Sequence, residues 1–237
     1  MSGRSGPTGG LGTPHLHLRE TDSTNARARD LALAGAPHGT VVTATRQSAG
    51  RGRQGRTWSA PAGRSLLFSV VLRDPPELLP LVAAVAVART VGDEARIKWP
   101  NDVLVDGRKV AGILAEGRPQ EGWAVLGVGL NVAVDLAELP PELHDTAATM
   151  GLAPADVPRV RDALLARLGD ALLQDTGSLL DAWRERDALA GRTISWSGGT
   201  GTARGIDGSG RIVVDLPGGG HTALDAGEVH LGPQPPA

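Results

Sequence analysis

Residues 50–58 read Gly50-Arg51-Gly52-Arg53-Gln54-Gly55-Arg56-Thr57-Trp58, three arginines and three glycines in one short run. Gly50, Gly52 and Gly55 satisfy the G-x-G-x-x-G spacing, which in a dinucleotide-binding fold opens a helix on the third glycine. Here Ser59-Ala60-Pro61 follows Trp58, and Pro61 argues against any such helix. The dinucleotide reading falls, and a nucleotide-binding oxidoreductase falls with it. What remains is an anion loop. Three guanidiniums repel one another unless an anion gathers them, and glycines let backbone N–H groups approach it closely. A solvated basic loop with no ligand is the competing reading.

Outward from this loop, the β-branched run 40–45 predicts a strand leading in. Residues 65–72, Ser-Leu-Leu-Phe-Ser-Val-Val-Leu, predict a strand buried on both faces. On the N-terminal side, residues 15–19 predict a short strand. Asp22-Ser23-Thr24-Asn25 then supply helix-cap candidates for a short helix over 26–34, stopped by Gly35 and Pro37. Residues 78–91 predict a buried helix, and 95–98 a strand meeting Trp99-Pro100-Asn101-Asp102. The chain resumes as a strand at 103–105, turns at Asp106-Gly107 and returns over 109–115. Residues 123–132 predict a further strand, with glycines where a ligand or another backbone comes near. Two helices are expected at 157–174 and 178–189. From Gly191 short β runs (193–196, 211–216, 221–224) alternate with glycine-rich turns, predicting a small β-barrel.

An apolar fraction of 41% across 237 residues supports a real core, and a net charge of −2 excludes a bulk nucleic-acid binder. There is no cysteine, so disulfides, thiolate metal sites and cysteine nucleophiles are excluded. No apolar run reaches the ~18 residues of a membrane span, and the first residues lack a signal-peptide core. A cytoplasmic location is the expectation. Among the positive residues, 22 are arginine and only two, Lys98 and Lys109, are lysine. Where a sequence otherwise uses arginine, two lysines within twelve residues of each other suggest sites needing a compact ammonium rather than a planar fork.

Four separated segments share unusual local chemistry. They are 22–25, Gln47 with the 50–58 loop, 98–102, and 109–113. Pairing across Asp106-Gly107 places Asp102 beside the region of Lys109 to Gly112 on neighbouring strands. A carboxylate and an ammonium near an arginine-rich loop suit phosphoryl or nucleotidyl chemistry, with the carboxylate able to hold Mg²⁺. Taken singly, Asp102 also reads as a turn former, Lys109 as a guard on a strand edge, and 22–25 as an ordinary cap.

Together, Gly-Arg-Gly-Arg-Gln-Gly-Arg-Thr-Trp at 50–58, Lys-Trp-Pro-Asn-Asp-Val at 98–103, Lys-Val-Ala-Gly-Ile-Leu at 109–114 and Gly-Val-Gly-Leu-Asn-Val at 127–132 resemble the bacterial biotin protein ligases. The resemblance implies an α+β fold: a mixed sheet flanked by helices, like class II aminoacyl-tRNA synthetases, followed by a small SH3-like barrel. Residues 1–14 read as a disordered lead-in and 233–237 as a disordered tail, and the resemblance implies a catalytic domain at 15–189 and the barrel at 190–232. The implied reaction joins biotin to ATP as biotinyl-5′-AMP, then to one lysine of a biotin carboxyl carrier domain. Lys109 and Arg53 take the catalytic positions. Ser23, Thr24, Asn25, Gln47, Arg51, Gly52, Arg53, Lys109 and Gly112 match the biotin site. Arg53, Arg56, Trp58, Lys98, Asn101, Lys109 and Asn131 match the ATP site, and Asp102 the Mg²⁺ position.

Many relatives carry an N-terminal DNA-binding domain. The match here begins about twenty residues in, so the expectation is a ligase that does not act as a repressor and binds neither nucleic acid nor membrane. A homodimer formed edge to edge is compatible with the resemblance and not required by it. The nearest alternative is a lipoate or octanoate ligase or transferase of the same fold. A non-catalytic biotin or nucleotide sensor is a second; it would not need both lysines and Asp102.

Overall fold

The structure, a computed structural model, describes residues 10–225 and 229–231. Its centre is a seven-stranded mixed sheet. Strands β1 (His15–Thr21), β2 (Val41–Gln47), β3 (Ser65–Arg73), β4 (Arg96–Lys98), β5 (Asp102–Val105), β6 (Arg108–Arg118) and β7 (Trp123–Asn131) lie in the order β1-β2-β3-β7-β6-β5-β4. Only β1 and β2 run parallel; the other neighbours are antiparallel. The first eight residues of β3 are all buried because the sheet is covered twice. Its Leu66, Phe68, Val70 and Leu72 point into the main core, shared with helix α2 (Leu79–Val91). Its Val71 points the other way, to Val42, Val125 and the alanines of helix α1 (Thr24–Leu33). A strand with both faces covered must be apolar throughout, as the sequence is.

Helices α3 (Val157–Leu172) and α4 (Thr176–Arg184) complete the layer on the α2 side. The second helix expected to reach Leu189 stops at Arg184. Asp187 accepts from Leu189 N at 2.7 Å, and the 186–188 backbone pairs with Ile97 instead of continuing the helix. Leu189 is buried all the same. A second sheet follows, of β8 (Thr193–Trp196), β9 (Gly199–Ile206), β10 (Ile212–Asp215), β11 (His221–Leu224) and β12 (His230–Leu231), in the order β11-β10-β9-β8-β12. Strand β9 contradicts the turn reading of its glycines. Its buried side is built from Gly201, Ala203 and Gly205, small residues that alternate but carry no hydrophobic signal.

The two sheets share one apolar cluster: Ile194, Ala203, Ile206, Ile212, Val214 and Val229 pack with the α2 core. Trp99 Nε1 also donates to Gly210 O at 3.0 Å. The supposed disordered lead-in gives way from residue 10 onward. Gly12 N donates to Gly39 O, Val41 N donates to Pro14 O, and Leu11 packs on the core. The earlier part of that lead-in and the tail at 233–237 lie outside the described residues.

Candidate active site

The functional segments meet in one cleft on the α1 side of the sheet. Its floor is β6 and β7, its ring-shaped end is the start of α1 with Gln47, and its roof is the 50–58 loop. That loop folds as a small hairpin. Arg51 bridges Thr57, Gly52 N donates to Arg56 O at 2.7 Å, and Trp58 N to Gly50 O at 3.0 Å. Gln54 sits at its tip with φ 54°, in the left-handed region. Two side-chain ties hold the roof down. Arg53 Nη1 donates to Asn101 Oδ1 at 3.3 Å, and Arg51 lies 3.7 Å from Glu116 Oε1.

The glycines of β7 explain why the floor is bare. A Cβ on Gly129 would collide with the Trp58 indole, and one on Gly127 would collide with the Asn25 amide. Trp58 therefore lies flat against Gly129 and close to Gly112, with its Nε1 buried and unpartnered among the described residues. Such an orphaned donor in a cleft marks a place for a ligand.

At one end the polar groups are neutral. Thr24 N donates to Gln47 Oε1 at 2.7 Å, and Thr24 Oγ1 lies 3.0 Å from that same oxygen. Ser69 Oγ lies 2.8 Å from Thr24 Oγ1 and 2.6 Å from Asn25 Oδ1. Asn25 Nδ2 donates to Leu114 O at 3.3 Å and Glu116 Oε2 at 2.8 Å. Ser23 is buried at the N-cap position but makes no side-chain cap bond; Gln47 takes the first helical N–H in its place.

At the other end charge dominates. Arg51, Arg53, Arg56, Lys98 and Lys109 line the cleft, and among its described lining residues the one carboxylate is Asp102. Lys109 Nζ pairs with Asp102 Oδ1 at 2.8 Å and lies 5.7 Å from the centre of the Trp58 ring. The strand register delivers this arrangement: Asp102 stands opposite Lys98 on β4 and opposite Gly112 on β6. Burial pushes the Lys98 ammonium below its usual range, opposed by Asp102 and reinforced by Lys109 and Arg56. Burial likewise lowers Arg53, again opposed by Asp102. This concentration of positive charge at one end of the cleft suits a polyanion.

All the residues expected in the site line this cleft except Asn131. That side chain is 3% exposed, accepts from Ser65 at 3.2 Å and donates to Ala148 O at 3.0 Å. Each end of its amide has a scaffold partner, and the side chain stands behind the lining of the cleft rather than in it. Ser69 and Glu116 went unnoticed in the sequence. Ser69 is an inconspicuous polar residue in an apolar strand, and Glu116 lies just past the recognisable Lys109 motif. Asp102 is paired with Lys109, and no group of three His, Asp or Glu gathers among the described residues. One carboxylate beside several cations fits a Mg²⁺ that arrives on phosphate oxygens rather than a resident metal.

A mixed sheet with this cleft, followed by a small β unit, defines the class of biotin and lipoate ligases. The family model for biotin/lipoate A/B protein ligases matches residues 18–132. The biotin–[acetyl-CoA-carboxylase] ligase of Mycobacterium tuberculosis is 37% identical over 237 aligned positions, covering 90% of this chain and 88% of that one. The bifunctional ligase/repressor BirA of Bacillus spizizenii is 38% identical over 152, covering 59% of this chain and 47% of BirA, so the match spans about half of that relative. The biotin protein ligase of Aquifex aeolicus, solved with biotin and ATP, superposes with a TM-score of 0.79 at 27% identity, covering 94% of this chain and all of that one. Within its class, the chain belongs to the biotin protein ligase family.

Proposed function

We propose that this protein activates biotin with ATP and transfers it to a lysine of a biotin carboxyl carrier domain. The observation that carries the reading is the polarity of the cleft. A neutral hydrogen-bonding end suits a ureido ring, and a cationic end suits a carboxylate meeting a triphosphate. In the first step the biotin carboxylate oxygen bonds to the α-phosphorus of ATP, and the bond to the β-phosphate oxygen breaks. Pyrophosphate leaves with that electron pair. In the second, the neutral amine of the carrier lysine attacks the anhydride carbonyl, the C–O bond to AMP breaks, and the amine sheds a proton.

The first step brings two anions together and the second develops charge on the carbonyl oxygen and the leaving phosphate, so cations must converge where charge concentrates. Lys109 and Arg53 take that task. Lys109 is held at the junction by Asp102 and has a flexible stem that lets it turn to an incoming oxygen. Arg56 and Lys98 face the phosphates. Trp58 offers an indole face to the adenine, and Asn101 holds the roof through Arg53. Asp102 would hold a Mg²⁺ carried by ATP, which neutralises phosphate charge when bound. Biotin lies along Gly112, with Ser23, Thr24, Asn25 and Gln47 at its ring and Arg51 and Gly52 above its chain. The use of ATP is compatible with the cytoplasmic location expected from the sequence. Residues 186–188 cover the β4 edge of the sheet, so β1 is the edge that a second copy could extend.

The test is direct. Purified protein with biotin, MgATP and a carrier domain is expected to release pyrophosphate and add one biotin to one lysine. Pyrophosphate release with lipoate and none with biotin overturns the reading in favour of the lipoate ligases.

A further inference from the structure

The hydroxyl protons at the neutral end of the cleft can be counted. Asn25 Nδ2 faces two acceptors, Leu114 O and Glu116 Oε2, so the amide has one orientation and its Oδ1 faces Ser69. An amide oxygen cannot donate. The single Ser69 proton therefore goes to Asn25 Oδ1 at 2.6 Å. Thr24 Oγ1 then has one proton for two neighbours, Ser69 Oγ at 2.8 Å and Gln47 Oε1 at 3.0 Å, and its assignment to the shorter contact is the step on which the rest turns. With that proton turned inward, none remains between Thr24 Oγ1 and Gln47 Oε1, which are 3.0 Å apart. The Gln47 amide is fixed as well, because its oxygen accepts from Thr24 N. Two acceptors thus face each other at the ring end, each with a lone pair available to a ligand. At the far end of the relay stands the Glu116 carboxylate, whose charge strengthens every bond pointing toward it.

We infer that Glu116, acting through Asn25 and Ser69, fixes the Thr24 hydroxyl as an acceptor, so that the ring end selects a substrate bearing N–H donors. The inference rests on the ligase reading and deepens it. A cyclic urea supplies such donors, and a dithiolane supplies none, leaving the acceptor pair buried and unpaired. Glu116 does not line the cleft, so it is a positioning residue. Its second oxygen faces Arg51, which gives it an alternative role in holding the roof that the test must separate.

Glutamine at 116 keeps an acceptor for Asn25 and loses the ion pair to Arg51; leucine loses both. Pyrophosphate release is measured for the wild type, Glu116→Leu, Glu116→Gln and Ser69→Ala, with biotin, lipoate and ATP varied in turn. Glu116→Leu and Ser69→Ala are expected to raise the biotin KM about tenfold, the worth of one hydrogen bond. They leave the ATP KM within about twofold and raise the lipoate-to-biotin ratio. Glu116→Gln stays within about threefold of wild type in biotin KM. The inference is overturned if Glu116→Gln is as impaired as Glu116→Leu, which would trace the effect to Arg51. It is equally overturned if the ATP and biotin KM values rise together, or if Ser69→Ala leaves the biotin KM unchanged. Residue 116 is partly exposed, so its variants report even where Ser69→Ala fails to fold. A wild type that releases no pyrophosphate with biotin fails the ligase reading itself, a result distinct from unaltered variants of an active enzyme.

Discussion

Lys109 touches three unlike things: the Asp102 carboxylate, the face of Trp58 and the open cleft. A compact ammonium reaches all of these from one stem, whereas a guanidinium is wide, planar and locked to paired acceptors. Lys109→Arg keeps the charge and the pairing to Asp102, so folding survives. The expected loss is in adenylation, at least about a hundredfold in pyrophosphate release, since misplacing a group by about 1 Å costs that much. Near-wild-type release from this variant would dismiss the idea that the two lysines are there for their shape. The composition alone pointed here, because Lys98 and Lys109 are the only lysines in the sequence. What composition could not give is the third neighbour, the indole, which only the folded loop brings over the sheet.

At the scale of elements, the 50–58 hairpin is fastened by contacts that are individually weak. Its ion pair to Glu116 is 3.7 Å long between partly exposed groups, worth roughly 0–1 kcal/mol. Its tie to Asn101 is a single 3.3 Å bond. An anion that draws the arginines together adds to these ties. Hydrogen exchange of the loop amides is expected to slow by at least about tenfold with biotin and ATP bound. Equal protection in both states would mean that the roof is a fixed wall. Elements whose composition matched their burial were legible from sequence: β3, apolar because it is covered twice, and α2, apolar because it is enclosed. Strand β9 was not, since its inward face is mostly glycine and alanine and its pairing decides its structure. Asn131 shows the same limit within the site. Its motif was readable, but the strand register that turns its amide to Ser65 and Ala148 was not.

At the scale of the molecule, the two sheets are joined where Asp187 lies. Its Oδ1 accepts from Leu189 N, its Oδ2 is buried without a partner among the described residues, and burial raises its carboxyl above the ordinary range. A folded-state pKa above the unfolded value gives stability that is fully present below the unfolded pKa, about 3.9, and lost as pH rises through the folded one. Asp187→Asn retains the acceptor and removes the charge. The variant is expected to gain on wild type as pH rises from 4 to 7, read from denaturant unfolding at the two pH values. The same difference at both pH values would show that ionisation of Asp187 does not strain the junction. Since one apolar cluster runs through both sheets, the boundary near residue 190 marks a change of chain character rather than a seam in the core.

Val229, from the last stretch of described chain, lines the same cleft as Thr24, and Gly210 caps the Trp99 indole. Synthesis on a ribosome delivers those residues after the whole first sheet has emerged. A nascent chain still lacking them has its arginines, lysines and ring contacts but an unfinished wall.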